Sequence, residues 1–130
     1  MFDHLSVGVR DLGRARAFYD AFLAPLGHSP AHETAAELAY GPGGMGPQFY
    51  LYPVSGPQVA GLGTHIAFAA DSQMAVDQAY AAALARGAVS VRAAGAHPDI
   101  APDYCGAVLF DPDGNKLEIV AAAMPGGAMH

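Results

Sequence analysis

The chain has 130 residues, of which 52% are hydrophobic and 14% are charged, a composition that excludes disorder and predicts one domain with a sizeable core. The formal net charge of −6 argues against a nucleic-acid partner, because few basic residues could neutralise phosphates. The single cysteine, Cys105, excludes an intramolecular disulfide. Together with the lack of a membrane-spanning apolar stretch and of a secretion signal, it favours a soluble cytoplasmic protein with no membrane partner.

The first half of the chain predicts a strand, a helix and three further strands. Residues 2–9 alternate between large apolar and small or polar side chains, as a strand does. Asp11 is placed to cap a helix, whose apolar residues recur at helical spacing until Pro25 and Gly27 end it. Further strands are predicted at 28–34, 36–40 and 48–53, with a glycine-rich turn at 41–47.

The second half repeats this order after a linker rich in Pro and Gly at 55–63. A strand at 64–70 is followed by a cap at Asp71 or Ser72 and by an alanine-rich helix at 74–86. A short strand is predicted at 89–92 and two further strands at 104–110 and 116–122, and the turn 111–115 precedes the last of them. The apolar face of the helix is predicted to contain Met74, Val76, Tyr80, Ala83 and Leu84.

The two halves therefore form an internal repeat with the order βαβββ. The single domain, residues 1–130, divides into module 1 at about 1–54, the linker, module 2 at about 64–123 and a frayed tail at 124–130. Two half-sheets of this kind would face each other and enclose a cleft, with the helices on the outside.

Three polar residues lie within predicted apolar strands: His4, His65 and Glu118. The two histidines share their strand faces with small residues, which leaves room for a ligand, and a buried, unpaired Glu118 would be costly. Two imidazoles and one carboxylate are the donor set of a divalent metal with open coordination positions. The alternative is that each residue is a hydrogen-bonded part of the core.

Four segments of the chain resemble the vicinal oxygen chelate superfamily, which includes glyoxalase I, bleomycin- and fosfomycin-resistance proteins and extradiol dioxygenases. The segments are His4-Leu5-Ser6-Val7-Gly8-Val9-Arg10-Asp11-Leu12, Ala17-Phe18-Tyr19, Gly63-Thr64-His65-Ile66-Ala67-Phe68 and Asp111-Pro112-Asp113-Gly114-Asn115-Lys116-Leu117-Glu118-Ile119. The resemblance implies an α+β fold in which two tandem βαβββ modules form a curved, half-open, barrel-like mixed sheet around a cleft, with the helices outside. It also implies that His4, His65 and Glu118 bind a divalent metal ion, namely Fe, Mn, Ni or Zn.

Glyoxalase I-like members of this superfamily carry a fourth ligand, usually glutamate, on the last strand of the first module. Aligning the two turns without a gap places Gln48 opposite Glu118, whereas two extra residues place Tyr50 there. Neither residue is a carboxylate, so the resemblance implies a three-ligand site. The predicted contacts to a small-molecule substrate are Ser6, Arg10, Gln48, Tyr50 and Tyr52.

Three functions stay open at this point. A glyoxalase I-type isomerase or lyase would be a homodimer, but the glutamate that usually acts as its general base is missing. A ring-cleaving extradiol dioxygenase matches the metal triad better, and His97 and Tyr104 would then be its acid/base and oxygen-positioning groups. A metal-free module would bind an apolar or aromatic ligand in the cleft, as resistance proteins do. The two modules could pair within one chain or across a dimer.

Overall fold

The computed structural model describes residues 2–44, 46–61 and 63–121, and it confirms the tandem α+β architecture. Both modules have the order βαβββ, and the predicted tail at 124–130 lies outside the described residues. The first module contains β1 (Leu5–Val9), α1 (Leu12–Leu23), a 3₁₀ turn (Ala24–Leu26), β2 (His28–Glu33), β3 (Leu38–Pro42) and β4 (Phe49–Pro53). The second contains β5 (His65–Ala70), α2 (Gln73–Ala85), β6 (Val89–Ala96), β7 (Cys105–Phe110) and β8 (Lys116–Ala121).

Each module forms its own four-stranded mixed sheet. The strand order is β1-β4-β3-β2 in sheet A and β5-β8-β7-β6 in sheet B. Strands β1 and β5 run parallel to their neighbours β4 and β8, and the remaining pairs are antiparallel. Among the described residues no strand pairing joins the two sheets, so β1 and β5 are both edge strands.

Both helices have a capping side chain at the N-terminus. Asp11 accepts a 2.8 Å hydrogen bond from the backbone N–H of Arg14 in α1. Ser72, one of the two residues predicted to cap α2, accepts a 3.1 Å hydrogen bond from the backbone N–H of Ala75. Gly27 follows the 3₁₀ turn with a φ of 87°, a conformation that favours glycine, and it redirects the chain into β2. Neither described helix is long and apolar enough to cross a membrane.

The predicted apolar face of α2 is wrong at two positions. Met74 is 68% exposed and Leu84 is 39% exposed. The side chains that α2 buries are those of Ala75, Val76, Ala79 and Ala83. Because three of these four are alanines, α2 can approach its neighbours closely, and it packs directly against α1.

One hydrophobic core joins the two modules. Phe68 of β5 contacts Phe22 of α1 and Phe49 of β4, with ring centroids 5.6 and 5.2 Å away, and both ring pairs are nearly perpendicular. Edge-to-face packing of this kind stabilises an aromatic pair by about 0.5–1.5 kcal/mol beyond the burial of area. The helix-covered faces of the two sheets therefore meet inside the chain.

The turn between β7 and β8 adds a polar attachment to module 1. Asp111 is buried, and its Oδ2 accepts hydrogen bonds from Tyr19 Oη at 2.6 Å and from Asn115 Nδ2 at 2.9 Å. Asn115 Nδ2 also donates to the carbonyl oxygen of Gly8 in β1 at 2.8 Å. The hydrogen-bonding groups of Tyr19, Asp111, Asn115 and Gly8 have these partners only when the turn lies against module 1.

Candidate metal centre

His65 and Glu118 lie side by side on one face of sheet B. Strand β5 runs parallel to β8 with Ala67 opposite Glu118, so the side chain of His65, two residues earlier, points to the same face. The His65 Nε2 and Glu118 Oε1 atoms are 3.3 Å apart. The His65 side chain is 48% exposed and that of Glu118 is 18% exposed, so the pair is accessible from solvent.

Tyr104, which precedes β7, supports this pair. Its hydroxyl donates a 2.7 Å hydrogen bond to Glu118 Oε2. Burial, together with the hydrogen bond to the carboxylate, raises the pKa of Tyr104 well above its usual value, so the hydroxyl remains a protonated donor. Gly106 leaves space for this ring, because a Cβ there would lie 2.7 Å from the Tyr104 hydroxyl and would overlap the carbonyl of Ile119.

His97 lies close to Tyr104, with 6.0 Å between the two ring centroids. Its Nε2 is 2.6 Å from the carbonyl oxygen of Ala93, and because a carbonyl can only accept, that nitrogen carries the proton. Its Nδ1 is then left as an acceptor. The His97 ring is thus tied to β6, and its acid/base role stays a prediction.

His4 lies just before β1 in sheet A, and its side chain is 54% exposed. Its Nδ1 is 2.7 Å from Oδ1 of Asp3, and because a carboxylate accepts, Nδ1 carries a proton; in the neutral ring Nε2 then holds the lone pair that could bind a metal. Histidines that bind metals almost always donate their other N–H to such an acceptor. Asp3 is not among the residues predicted from the sequence, although a carboxylate next to a predicted ligand is a signal that could have indicated it.

The strand register shows which residue stands at the position of the fourth ligand. Ser6 of β1 lies opposite Tyr50 of β4, and Ala67 of β5 lies opposite Glu118 of β8 in the same way. Because the two modules repeat each other, Tyr50 and not Gln48 is the counterpart of Glu118. Sheet A therefore carries a phenol ring where sheet B carries a carboxylate.

Aromatic rings cover the exposed face of sheet A beside His4. The rings of Tyr50 and Tyr52 are stacked, with centroids 6.1 Å apart and an interplanar angle of 7°, and the His4 ring meets Tyr50 edge-on at 5.3 Å. Ser6 is exposed in the same sheet. Arg10 lies apart from this group, because its Nη2 donates to two backbone carbonyls of the linker at 3.2 and 3.4 Å.

His4 and the His65–Glu118 pair form two half-sites on different sheets. In the part of the chain that the structure describes, no three His, Cys, Asp or Glu side chains are arranged to hold a metal ion. The donor types nevertheless fit a divalent ion, because both imidazoles and the carboxylate are accessible. Asp3 and Tyr104 also orient His4 and Glu118, as supporting residues do at metal sites.

Comparison with known protein families shows the superfamily of the chain. The model of the Glyoxalase/Bleomycin resistance protein/Dioxygenase superfamily matches residues 1–119. The chain belongs to this superfamily. A member with a solved crystal structure, a glyoxalase/bleomycin resistance protein from Albidiferax ferrireducens T118, has a TM-score of 0.81 and 32% sequence identity, over 93% of this chain and 98% of that one.

Two more distant structures support the superfamily fold. A glyoxalase-related enzyme from Fulvimarina pelagi has a TM-score of 0.72 and 17% identity, over 100% of this chain and 96% of that one. A genomically encoded fosfomycin resistance protein from Listeria monocytogenes has a TM-score of 0.69 and 18% identity, over 95% of this chain and 94% of that one. A search of curated proteins returned no match.

Proposed function

We propose that this superfamily member is a divalent-metal-dependent enzyme acting on a small molecule with two neighbouring oxygens, and that its metal centre forms across a homodimer. In each centre, His4 would come from one subunit, and His65 and Glu118 from the other. The observation that carries the proposal is the 3.3 Å approach of His65 Nε2 to Glu118 Oε1 on an accessible sheet face. A histidine and a carboxylate are already together there, and one more imidazole completes the donor set.

The packing of the two modules favours a centre shared between subunits. Helices α1 and α2 pack together, and Phe68 contacts Phe22 and Phe49 across the modules. The face that carries His65 and Glu118 points away from this internal contact, His4 lies at its margin, and all three side chains remain accessible. A two-fold axis would bring sheet A of each subunit to sheet B of the other and create two equivalent centres.

The chain's own residues have distinct tasks in this proposal. His4, His65 and Glu118 would hold an Fe, Mn, Ni or Zn ion, and the bound ion would supply Lewis-acid polarisation of the substrate oxygens. Tyr104 keeps Glu118 in place and offers a protonated hydroxyl beside it. Tyr50 and Tyr52 present stacked rings to the apolar part of the substrate.

The donor set limits the reaction to two classes. Because Tyr50 replaces a fourth carboxylate, the three-ligand set suits either lyase and isomerase chemistry or ring-cleaving dioxygenation. The identity of the metal distinguishes these two reactions, since Ni or Zn favours the first and Fe(II) the second.

Metal content tests the ligand set. The purified protein is incubated in turn with Fe(II), Mn(II), Ni(II) and Zn(II), desalted and analysed for bound metal by mass spectrometry. We expect one ion per subunit, and an affinity at least about tenfold lower in His4→Ala and Glu118→Ala. The control is His32→Ala, which removes an exposed histidine that pairs with Glu37 instead. Full metal retention by both ligand variants would contradict the assignment, and a wild type that takes up none of the four ions would indicate a metal-free binding module.

Hybrid dimers test whether the centre is shared. Subunits with His4→Ala and subunits with His65→Ala are refolded together and separately, and the bound metal is measured. In a hybrid dimer, one of the two centres keeps all three ligands, so mixing restores binding that neither variant has alone. Random pairing makes about half of the dimers hybrids, which restores about a quarter of the wild-type metal content. No recovery in a dimeric mixture would contradict a shared centre.

A further inference from the structure

A cavity of about 260 Å³ lies where the two modules meet. Leu23, Tyr40 and Phe49 of module 1 line it, and Ile66 and Phe68 of β5 face them. Leu23, Tyr40 and Phe49 are buried, whereas the lining residues Phe2 and Leu5 are exposed, so the cavity has an apolar floor and is open to solvent at its rim. Its lining thus includes the side of sheet A that packs on α1, whereas Tyr50 points to the opposite side.

Polar side chains lie at the margin of this cavity. Asp3, His4, His28 and Gln48 line it together with the apolar residues. His28 is the first residue of β2, directly after the turn at Gly27, and it is partly buried. No hydrogen bond joins its imidazole to another described residue, so its ring nitrogens are available to a ligand or to water. Burial lowers the pKa of His28, so at neutral pH its ring offers one N–H donor and one acceptor.

The size and charge of the cavity limit what it can bind. An apolar cavity of about 150 Å³ is enough to bind benzene, so this larger space suits a fused two-ring system. Asp3 on the margin and the net charge of −6 disfavour an anion. The unpaired His28 ring favours a ligand with one polar group.

We propose that this cavity is a second small-molecule site, which takes a neutral two-ring aromatic molecule carrying one hydroxyl or N–H group. The rings would lie against Leu23, Phe49 and Phe68, and the polar group would hydrogen-bond to His28. This site goes beyond the proposed metal centre. Asp3 and His4 lie on the margin of both, and Gln48 is also a predicted substrate contact, but Leu23, His28, Phe49 and Phe68, which would bind the ligand, belong to no part of that centre. Occupancy therefore requires no metal, and the two proposals can fail separately.

The absence of tryptophan from the chain makes a direct test available. The full-length protein is treated with EDTA and titrated with 2-naphthol, whose fluorescence can be excited at wavelengths that tyrosine does not absorb. We expect saturable binding of one 2-naphthol per chain. The anionic analogue 2-naphthoate should bind at least about tenfold more weakly. Lack of saturation, or equal binding of the anion, would overturn the proposal.

Matched variants locate the bound probe. Ala69→Leu adds volume at a residue that lines the cavity and is expected to weaken 2-naphthol binding at least about tenfold. Ala93→Leu makes the same change at an exposed position of β6 and should leave binding unchanged. Circular dichroism verifies folding, and Ala69→Val replaces Ala69→Leu where the larger side chain prevents it. Wild-type affinity in the folded Ala69 variant would place the probe elsewhere and overturn the proposal.

A third variant tests the hydrogen bond. His28→Phe keeps a ring in place but removes both ring nitrogens. The wild type should bind 2-naphthol about fivefold more tightly than naphthalene, and His28→Phe should bind both equally. A preference for 2-naphthol that is unchanged in His28→Phe would contradict the assigned partner.

Discussion

Glu118 shares its two carboxylate oxygens between different partners: Oε2 accepts a 2.7 Å hydrogen bond from the hydroxyl of Tyr104, and Oε1 lies 3.3 Å from His65 Nε2. The hydroxyl therefore fixes the orientation of the carboxylate. In Tyr104→Phe this restraint is lost, and we expect metal affinity to fall about 10- to 100-fold, as it does when a residue that orients a metal ligand is removed. Titration calorimetry with Zn(II) or Ni(II) measures the change.

The control for this prediction is Tyr80→Phe, which removes a hydroxyl hydrogen-bonded to Ser90 at 2.7 Å. It deletes the same atom from a tyrosine that is not part of the metal centre. Equal loss of affinity in both variants would show that the effect is not specific to the Glu118 partner.

Tyr50 is the counterpart of Glu118 in the internal repeat, and this position predicts a gain of function. Tyr50→Glu supplies a carboxylate where glyoxalase I-like members have their fourth ligand. We expect Zn(II) or Ni(II) to bind at least about tenfold more tightly, because the new carboxylate adds a fourth donor, which is anionic, to the two imidazoles and Glu118. Val91→Glu adds the same charge at an exposed position of β6 and should have no such effect. Unchanged affinity in Tyr50→Glu would contradict the proposed position of the centre.

Asn115 joins the last turn to the first strand, and its loss should destabilise the whole chain. In Asn115→Ala, the carbonyl of Gly8 loses its 2.8 Å hydrogen bond and Asp111 loses one of its donors. Leaving such buried groups unpaired costs about 1–3 kcal/mol, which urea denaturation would detect. Gln58→Ala removes an exposed amide that donates to Ala60 and should change stability little. Similar losses in the two variants would contradict the importance of the turn.

The partly buried His28 should make the free energy of unfolding depend on pH. Burial lowers the pKa of His28 in the folded state below the value of about 6.5 that is usual for histidine, so the unfolded chain takes up this proton first as the pH falls. The unfolded state then binds more protons, and the contribution of His28 to the free energy of unfolding decreases from about pH 6.5 downwards. We expect the wild type to lose more stability than His28→Phe between pH 7.5 and 5.5 in urea titrations. Parallel losses in both proteins would assign the acid sensitivity to other groups.

Local patterns in the sequence were sufficient to predict the order βαβββ in both halves, because caps, turns and alternation are all local. Strand β6 was predicted at 89–92 but continues to Ala96. Its pairing with β7 contains irregularities after Ser90 and after Arg92, and these interrupt the alternation on which the prediction depended.

The site was harder to predict than the fold. The resemblance implied that His65 and Glu118 lie at one site, and the structure brings His65 Nε2 within 3.3 Å of Glu118 Oε1. Which residues could complete a metal site with His4 depends on how the sheets pack against each other. The spacing of residues within one strand carries no information about that packing. The choice between Gln48 and Tyr50 likewise required the register of β1 against β4.

The hydrogen bond between Asn115 and Gly8 spans 107 positions of the chain. Contacts so distant in sequence form late, since the intervening segment must be ordered first. Strand β1 pairs with β4 within its own module, but its contact with the turn at Asn115 must wait until nearly all of the second module has been synthesised. During that interval β1 is an edge strand without the Asn115 contact, and an unprotected edge of this kind can pair wrongly with another strand.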